Sequence, residues 1–176
     1  MSIKSTRAAF SARQELDRPT DAVTAAAIVA WSRKRNLAVR WTSAPEMESM
    51  MGSLRLGVQE HKLLTLQTNG LVWVLVTQLS ARLPFVDPAA KAQLIEDLRT
   101  RLLEFPRAGQ SSSGKGSKIA FRLEDLRTSD SLGKFFVTLE WLIGRLQNGF
   151  DTMRVGGVRG GRHSGATARV KAEAVG

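Results

Sequence analysis

The stretch from Leu63 to Val76 constrains the fold more than any other part of the chain, because two runs of β-forming residues flank an Asn-Gly pair. Asn69 and Gly70 suit a two-residue turn in which both residues take a positive φ. We therefore predict a β-hairpin whose buried face includes Trp73. The register that this turn predicts pairs Thr68 with Leu71, Leu66 with Trp73, and Leu64 with Leu75.

The segments around this hairpin alternate between strand-like and helix-like patterns. Alternation predicts further strands at residues 38–42, 54–58, 81–86 and 118–123. Apolar residues at helical spacing predict helices from Pro19 to Asn36, from Pro88 to about Phe105, and from Ser129 or Asp130 to Gly149. This order predicts an α+β fold, a mostly antiparallel β-meander with helices packed on one face of the sheet.

Composition divides the chain into three parts. Residues 1–18 lack periodicity, and we expect a flexible N-terminus there. Residues 19–149 are long enough for a single α+β domain with one core. Residues 150–176 are rich in Gly and Arg without a period, which predicts a disordered basic C-terminal tail. Inside the domain, residues 109–117 have the composition of a flexible loop.

The composition also argues against several kinds of catalyst. The chain has no cysteine and two histidines, so thiol nucleophiles and thiolate metal sites are excluded. We expect no catalytic residues, no metal site and no cofactor. The chain contains no long apolar run and no apolar block after the basic N-terminal residues, so we expect a cytoplasmic protein without a membrane partner.

The charge indicates a polyanionic partner. The sequence has 26 Lys and Arg against 16 Asp and Glu, a formal net charge of +10. Such a balance favours DNA or RNA through counterion release, which is insensitive to base sequence. We therefore expect a non-catalytic accessory module that contacts nucleic acid, or a nucleic-acid-acting partner, mainly through phosphates. The candidate contacts are Arg33, Lys34, Arg35 and Arg40 in the domain, and Arg154, Arg159, Arg162, Arg169 and Lys171 in the tail.

Two other functions remain open. The first is a protein-interaction or regulatory module whose basic charge is incidental. The second is a metal-dependent nuclease that uses Glu60 and Lys62, although the predicted polar turn at residues 59–62 would leave these side chains solvated and poorly positioned. The four tryptophans occupy periodic apolar positions, which favours core packing over base stacking, since a stacking platform requires exposed rings beside Arg or Lys.

Three phrases of the sequence resemble an uncharacterised bacterial α+β domain of unknown function. They are the hairpin turn at residues 66–72, Leu83-Pro84-Phe85-Val86-Asp87 before a helix, and the segment from Phe136 to Trp141 in the last helix. The resemblance covers about residues 24–147, and Gln67 stands where the family pattern has Trp. That domain is sometimes found at the end of nuclease-like or defence-associated proteins. The resemblance therefore implies an accessory module, and it carries over no catalytic residues.

Overall fold

The structure, a computed structural model, describes residues 6–44, 47–74, 88–105, 109–113 and 116–159. A short 3₁₀ turn, Leu123–Leu126, lies between the last strand and the last helix. The elements in chain order are α1 (Arg7–Asp17), α2 (Pro19–Lys34), β1 (Ala38–Ala44), β2 (Met47–Leu56), β3 (Gln59–Gln67), β4 (Leu71–Val74), α3 (Pro88–Leu103), β5 (Gly109–Ser113), β6 (Gly116–Arg122) and α4 (Ser129–Arg159).

The six strands form one antiparallel sheet in the order β1-β2-β3-β4-β6-β5. The first four strands are neighbours both in sequence and in space, so they form the predicted meander. The β5–β6 hairpin then joins the sheet through β6, which pairs with β4. The predicted α+β fold class is confirmed. The strand predicted at residues 81–86 lies outside the described residues.

The helices bury one face of this sheet. Phe121 of β6 contacts Phe105 and Phe135 edge to face, with ring centroids 5.4 and 5.7 Å apart. Trp31 of α2 stacks on Phe136 of α4, with centroids 5.1 Å apart and planes 3° from parallel. Burial of each such side chain stabilises the fold by roughly 1.5–3 kcal/mol. Leu94, Leu98 and Leu102 of α3 and Leu139, Leu142 and Leu146 of α4 complete this core.

Both ends of the domain differ from the prediction. Residues 7–17, expected to be flexible, form α1, because Thr6 caps the helix by accepting a bond from the Ala9 amide (3.2 Å) and Phe10 packs on Trp41. A single buried aromatic side chain leaves little periodic signal in the sequence. At the other end, α4 passes through Gly149 and continues to Arg159, so the tail does not begin at residue 150. Residues 160–176 lie outside the described part.

Two segments outside the predicted strands also belong to the sheet. β2 begins at Met47, not Leu54, because Met47 to Ser53 pair along the whole of β1. Residues 109–113 and 116–122 pair as a hairpin despite their Gly and Ser content. Within the described ranges, no helix has the length and apolar character needed to cross a bilayer.

Candidate nucleic-acid interface

The hairpin turn sets which side chains lie on each face of the sheet. Three residues, not two, separate β3 from β4, and the Gly70 amide donates to the Gln67 carbonyl (3.0 Å). Only Gly70 of the two turn residues has a positive φ, +84°. These features fit a type I turn followed by a left-handed glycine, a common three-residue hairpin loop. Leu66 therefore pairs with Val72, and Thr65 pairs with Trp73.

This register differs by one residue from the prediction, and a shift of one residue moves a side chain to the other face. Val72 and Val74 lie in the core with 0% exposure. Trp73 lies on the opposite face and is half-buried. The prediction that Trp73 belongs to the core face was wrong. Trp31, by contrast, is buried at 8% exposure as expected.

A continuous row of side chains crosses the face that points away from the core. Arg40, Met51, Thr65, Trp73 and Ala120 are directly opposite one another on β1, β2, β3, β4 and β6. We call this side of the sheet the basic face and define it by its charged and aromatic members. They are Arg40, Arg55, Glu60, Lys62, Trp73 and Arg122.

The charges on the basic face are unbalanced. Arg55, Lys62 and Arg122 are exposed, and the side chain of Arg40 is 60% exposed. Arg40 Nη2 donates to Glu60 Oε2 across the sheet at 2.6 Å. Glu60 is the single carboxylate among the described residues of this face, so these side chains carry four positive charges against one negative charge. Such a surface attracts phosphate groups.

Trp73 is held in place by its neighbours. Its Nε1 donates to Gln67 Oε1 at 3.1 Å, which ties the indole to the adjacent strand β3. Arg122 lies on the strand at the other side, β6, opposite Leu71. The ring therefore lies in the middle of the sheet, on the face that also carries Arg122. This site was not predicted from the sequence, although Arg55 and Arg122 occupy polar positions of the alternating strands predicted at residues 54–58 and 118–123.

The predicted contacts do not lie together. Arg40 is on the basic face, but Arg33, Lys34 and Arg35 end α2 in the helical layer. Arg33 and Lys34 are exposed. Arg35 bonds to Glu140 of α4, which also accepts from Trp31 Nε1 (3.3 Å). These bonds, chiefly the one from Arg35, lower the pKa of Glu140 below its ordinary value.

The predicted tail contacts are described only in part. Arg154 and Arg159 belong to the last turns of α4, of which the backbone is described. Arg162, Arg169 and Lys171 lie outside the described residues. The tail therefore stays a prediction, and the described candidate interface is the basic face.

Glu60 and Lys62, the residues proposed for a nuclease, were expected on a polar turn. They lie instead on strand β3. Glu60 and Lys62 point to the basic face, whereas His61 between them is buried at 2% exposure. Glu60 is bonded to Arg40. Across the ranges that the structure describes, no three Asp, Glu or His side chains come together as metal ligands.

Comparison of the chain with protein-family models, with curated proteins and with solved structures gives no match.

Proposed function

We propose that this domain is a non-catalytic module that binds nucleic acid through the basic face, mainly by contacts to phosphates. The observation that carries the proposal is the placement of Arg40, Arg55, Lys62 and Arg122 on one side of the sheet with Glu60 as their described counter-charge. Strands hold these cations at fixed spacing, which lowers the entropy lost when they bind a charged backbone. Phosphate contacts of this kind position the ligand without reading bases.

A charge-matched pair of variants tests the proposal. Arg55→Gln with Arg122→Gln removes two charges from the basic face, and Arg33→Gln with Lys34→Gln removes two exposed charges from the helical layer. Both variants change the net charge equally. We expect the first to weaken binding of a DNA or RNA oligonucleotide about 10-fold and to reduce the salt slope by between 1 and 2 units.

The measurement is a fluorescence anisotropy titration of the full chain at several salt concentrations. Equal losses in the two variants would show that net charge, not the basic face, governs binding. No binding by the unmodified chain at low salt would remove the proposal altogether, because non-specific phosphate contacts are strongest there.

The protein-interaction module is the second candidate. Such a module usually presents a contiguous apolar patch. The large apolar side chains that are exposed in the described residues are Leu16, Val23, Val58, Leu103 and Val137. They lie one each on α1, α2, the β2–β3 turn, α3 and α4, whereas the cations of the basic face share one side of a single sheet.

A further inference from the structure

Trp73 adds to the basic face something that phosphate binding does not require. A surface that binds a duplex backbone needs only cations, and a half-buried indole in its centre contributes no charge to phosphate binding. Its own strand places Val72 and Val74 in the core, so Trp73 is not needed to fill the core face. An aromatic ring on a sheet face that also carries Arg and Lys is the arrangement on which unpaired bases stack.

The geometry selects against a duplex as the ligand of Trp73. In a duplex, the faces of the bases are stacked on one another, and proteins reach base edges by inserting a helix, a ribbon or a wedge into a groove. Trp73 lies in the middle of the sheet with paired strands on both sides. Its indole is also tied to Gln67 within the sheet. A duplex resting on this surface would present phosphates to the ring.

The surroundings suit a single strand running across the sheet. Lys62 on β3 and Arg122 on β6 lie on the two strands next to that of Trp73. Adjacent strands are about 4.8 Å apart, so the distance across all six strands is roughly 24 Å. That width suits a few nucleotides, the lower end of the range bound by small single-stranded-binding domains.

We infer that the basic face binds single-stranded nucleic acid, with an unpaired base stacked on Trp73 and neighbouring phosphates on Lys62 and Arg122. The inference rests on the proposed function and adds the class of ligand. Stacking accepts any base, because every base has a π-face, so the preference is for strandedness and not for sequence. The bond from the indole to Gln67 orients the ring before the ligand arrives, which reduces the entropic cost of binding.

The test compares a single-stranded oligonucleotide with a hairpin duplex of the same composition, both titrated against the full chain. We expect the unmodified chain to prefer the single strand. Trp73→Leu should weaken single-strand binding roughly 5- to 100-fold and duplex binding much less, whereas Trp73→Phe should retain most of the affinity. Trp141→Leu is the matched control, because Trp141 is also half-buried but lies on α4 against Arg101.

A measurement on the unmodified chain keeps the inference testable even where Trp73→Leu unfolds the domain. A photoreactive single strand should cross-link to the peptide that contains Trp73, and the duplex should not. Equal affinity for both ligands, or cross-links confined to other peptides, would overturn the inference. If the Arg55 and Arg122 variant still weakens binding in that case, the proposed function stands and the stacking site alone fails. If neither ligand binds, both fail.

Discussion

Gly70 is the residue on which the register of the central hairpin depends. Its φ of +84° lies in the left-handed region, and a Cβ added there would stand 2.7 Å from Arg18 Nη1. The side chain of Arg18 can move away, so the main cost of a substitution is strain in the backbone. We expect Gly70→Ala to lower the free energy of unfolding by roughly 1–2 kcal/mol, measured by urea denaturation.

Gly133 supplies the control for this substitution. It lies in α4, and a Cβ added there meets nothing within 4 Å. Gly133→Ala should therefore stabilise the domain by up to about 1 kcal/mol, because alanine has the higher helix propensity. A Gly70→Ala variant as stable as the unmodified chain would contradict the left-handed conformation at the turn.

Asp21 is a buried carboxylate whose role is to join separate segments. Its side chain is 1% exposed and bonds to Arg18 Nη1 at 3.2 Å and to Arg127 Nε at 2.8 Å. Arg127 also donates to Thr20, so this cluster fixes the start of α2 to the segment before α4. Arg127 is 106 residues away from Asp21 in the sequence, so local sequence patterns could not predict this pairing.

Replacement of Asp21 tests this cluster. Asp21→Ala leaves two arginines without their shared carboxylate, and we expect a loss of about 2–4 kcal/mol in the free energy of unfolding. The loss should stay below the upper values for buried pairs because both arginines are partly exposed. Asp17→Ala removes an exposed carboxylate from the neighbouring helix and should cost less than about 1 kcal/mol. Equal effects would show that burial of Asp21 contributes nothing.

At the scale of elements, the sequence predicted which helices and strands exist better than it predicted where they begin and end. The α2, α3 and α4 helices were found because each carries several apolar residues at helical spacing. The register of the β3–β4 hairpin was wrong by one residue because Asn-Gly fits both a two-residue turn and the last positions of a three-residue turn. The two turns place opposite side chains in the core, and the choice depends on contacts distant in sequence. One such contact is the bond from the Leu123 amide to the Gly70 carbonyl (2.8 Å).

The wrong register of the β3–β4 hairpin also prevented the prediction of the candidate interface. In the predicted register, Trp73 filled the core and left the sheet without an aromatic surface. In the observed register, Trp73 and Arg122 lie on the same face. The candidate interface could not be predicted from single residues, since it consists of alternating positions on strands whose pairing the sequence leaves open.

The contact between α2 and α4 should make stability depend on pH. Arg35 lowers the pKa of Glu140, so the folded state favours the ionised carboxylate. The stabilisation is fully present above the unfolded-state pKa and is lost as pH falls through the lowered folded-state pKa. We expect Glu140→Gln to be less stable than the unmodified chain at neutral pH, and the difference to shrink in acid. Urea denaturation at several pH values measures it, and a difference that is constant with pH would rule out this linkage.

At the scale of the whole molecule, the net charge of +10 is shared by the described part of the chain and residues 160–176. The two contributions can be separated in the full chain. We expect Arg162→Ser, Arg169→Ser and Lys171→Ser together to reduce the salt slope of binding by up to about 3 units if the tail contacts phosphates. The preference for single strands should not change in this variant, because we attribute that preference to stacking on Trp73. An unchanged slope would assign all the phosphate contacts to the domain.

The order of strands in the sheet also has a consequence for how the chain folds. The pairings from β1 to β4 join segments adjacent in sequence, whereas β4 pairs with β6 across the whole of α3. Closing a long loop costs entropy before its contacts form, which slows folding. Val72 with Phe121 and Val74 with Ile119 are the core contacts across that pairing. We therefore expect truncation of these four side chains to slow refolding more than it speeds unfolding. We also expect the β1–β4 meander to form before the β4–β6 pairing.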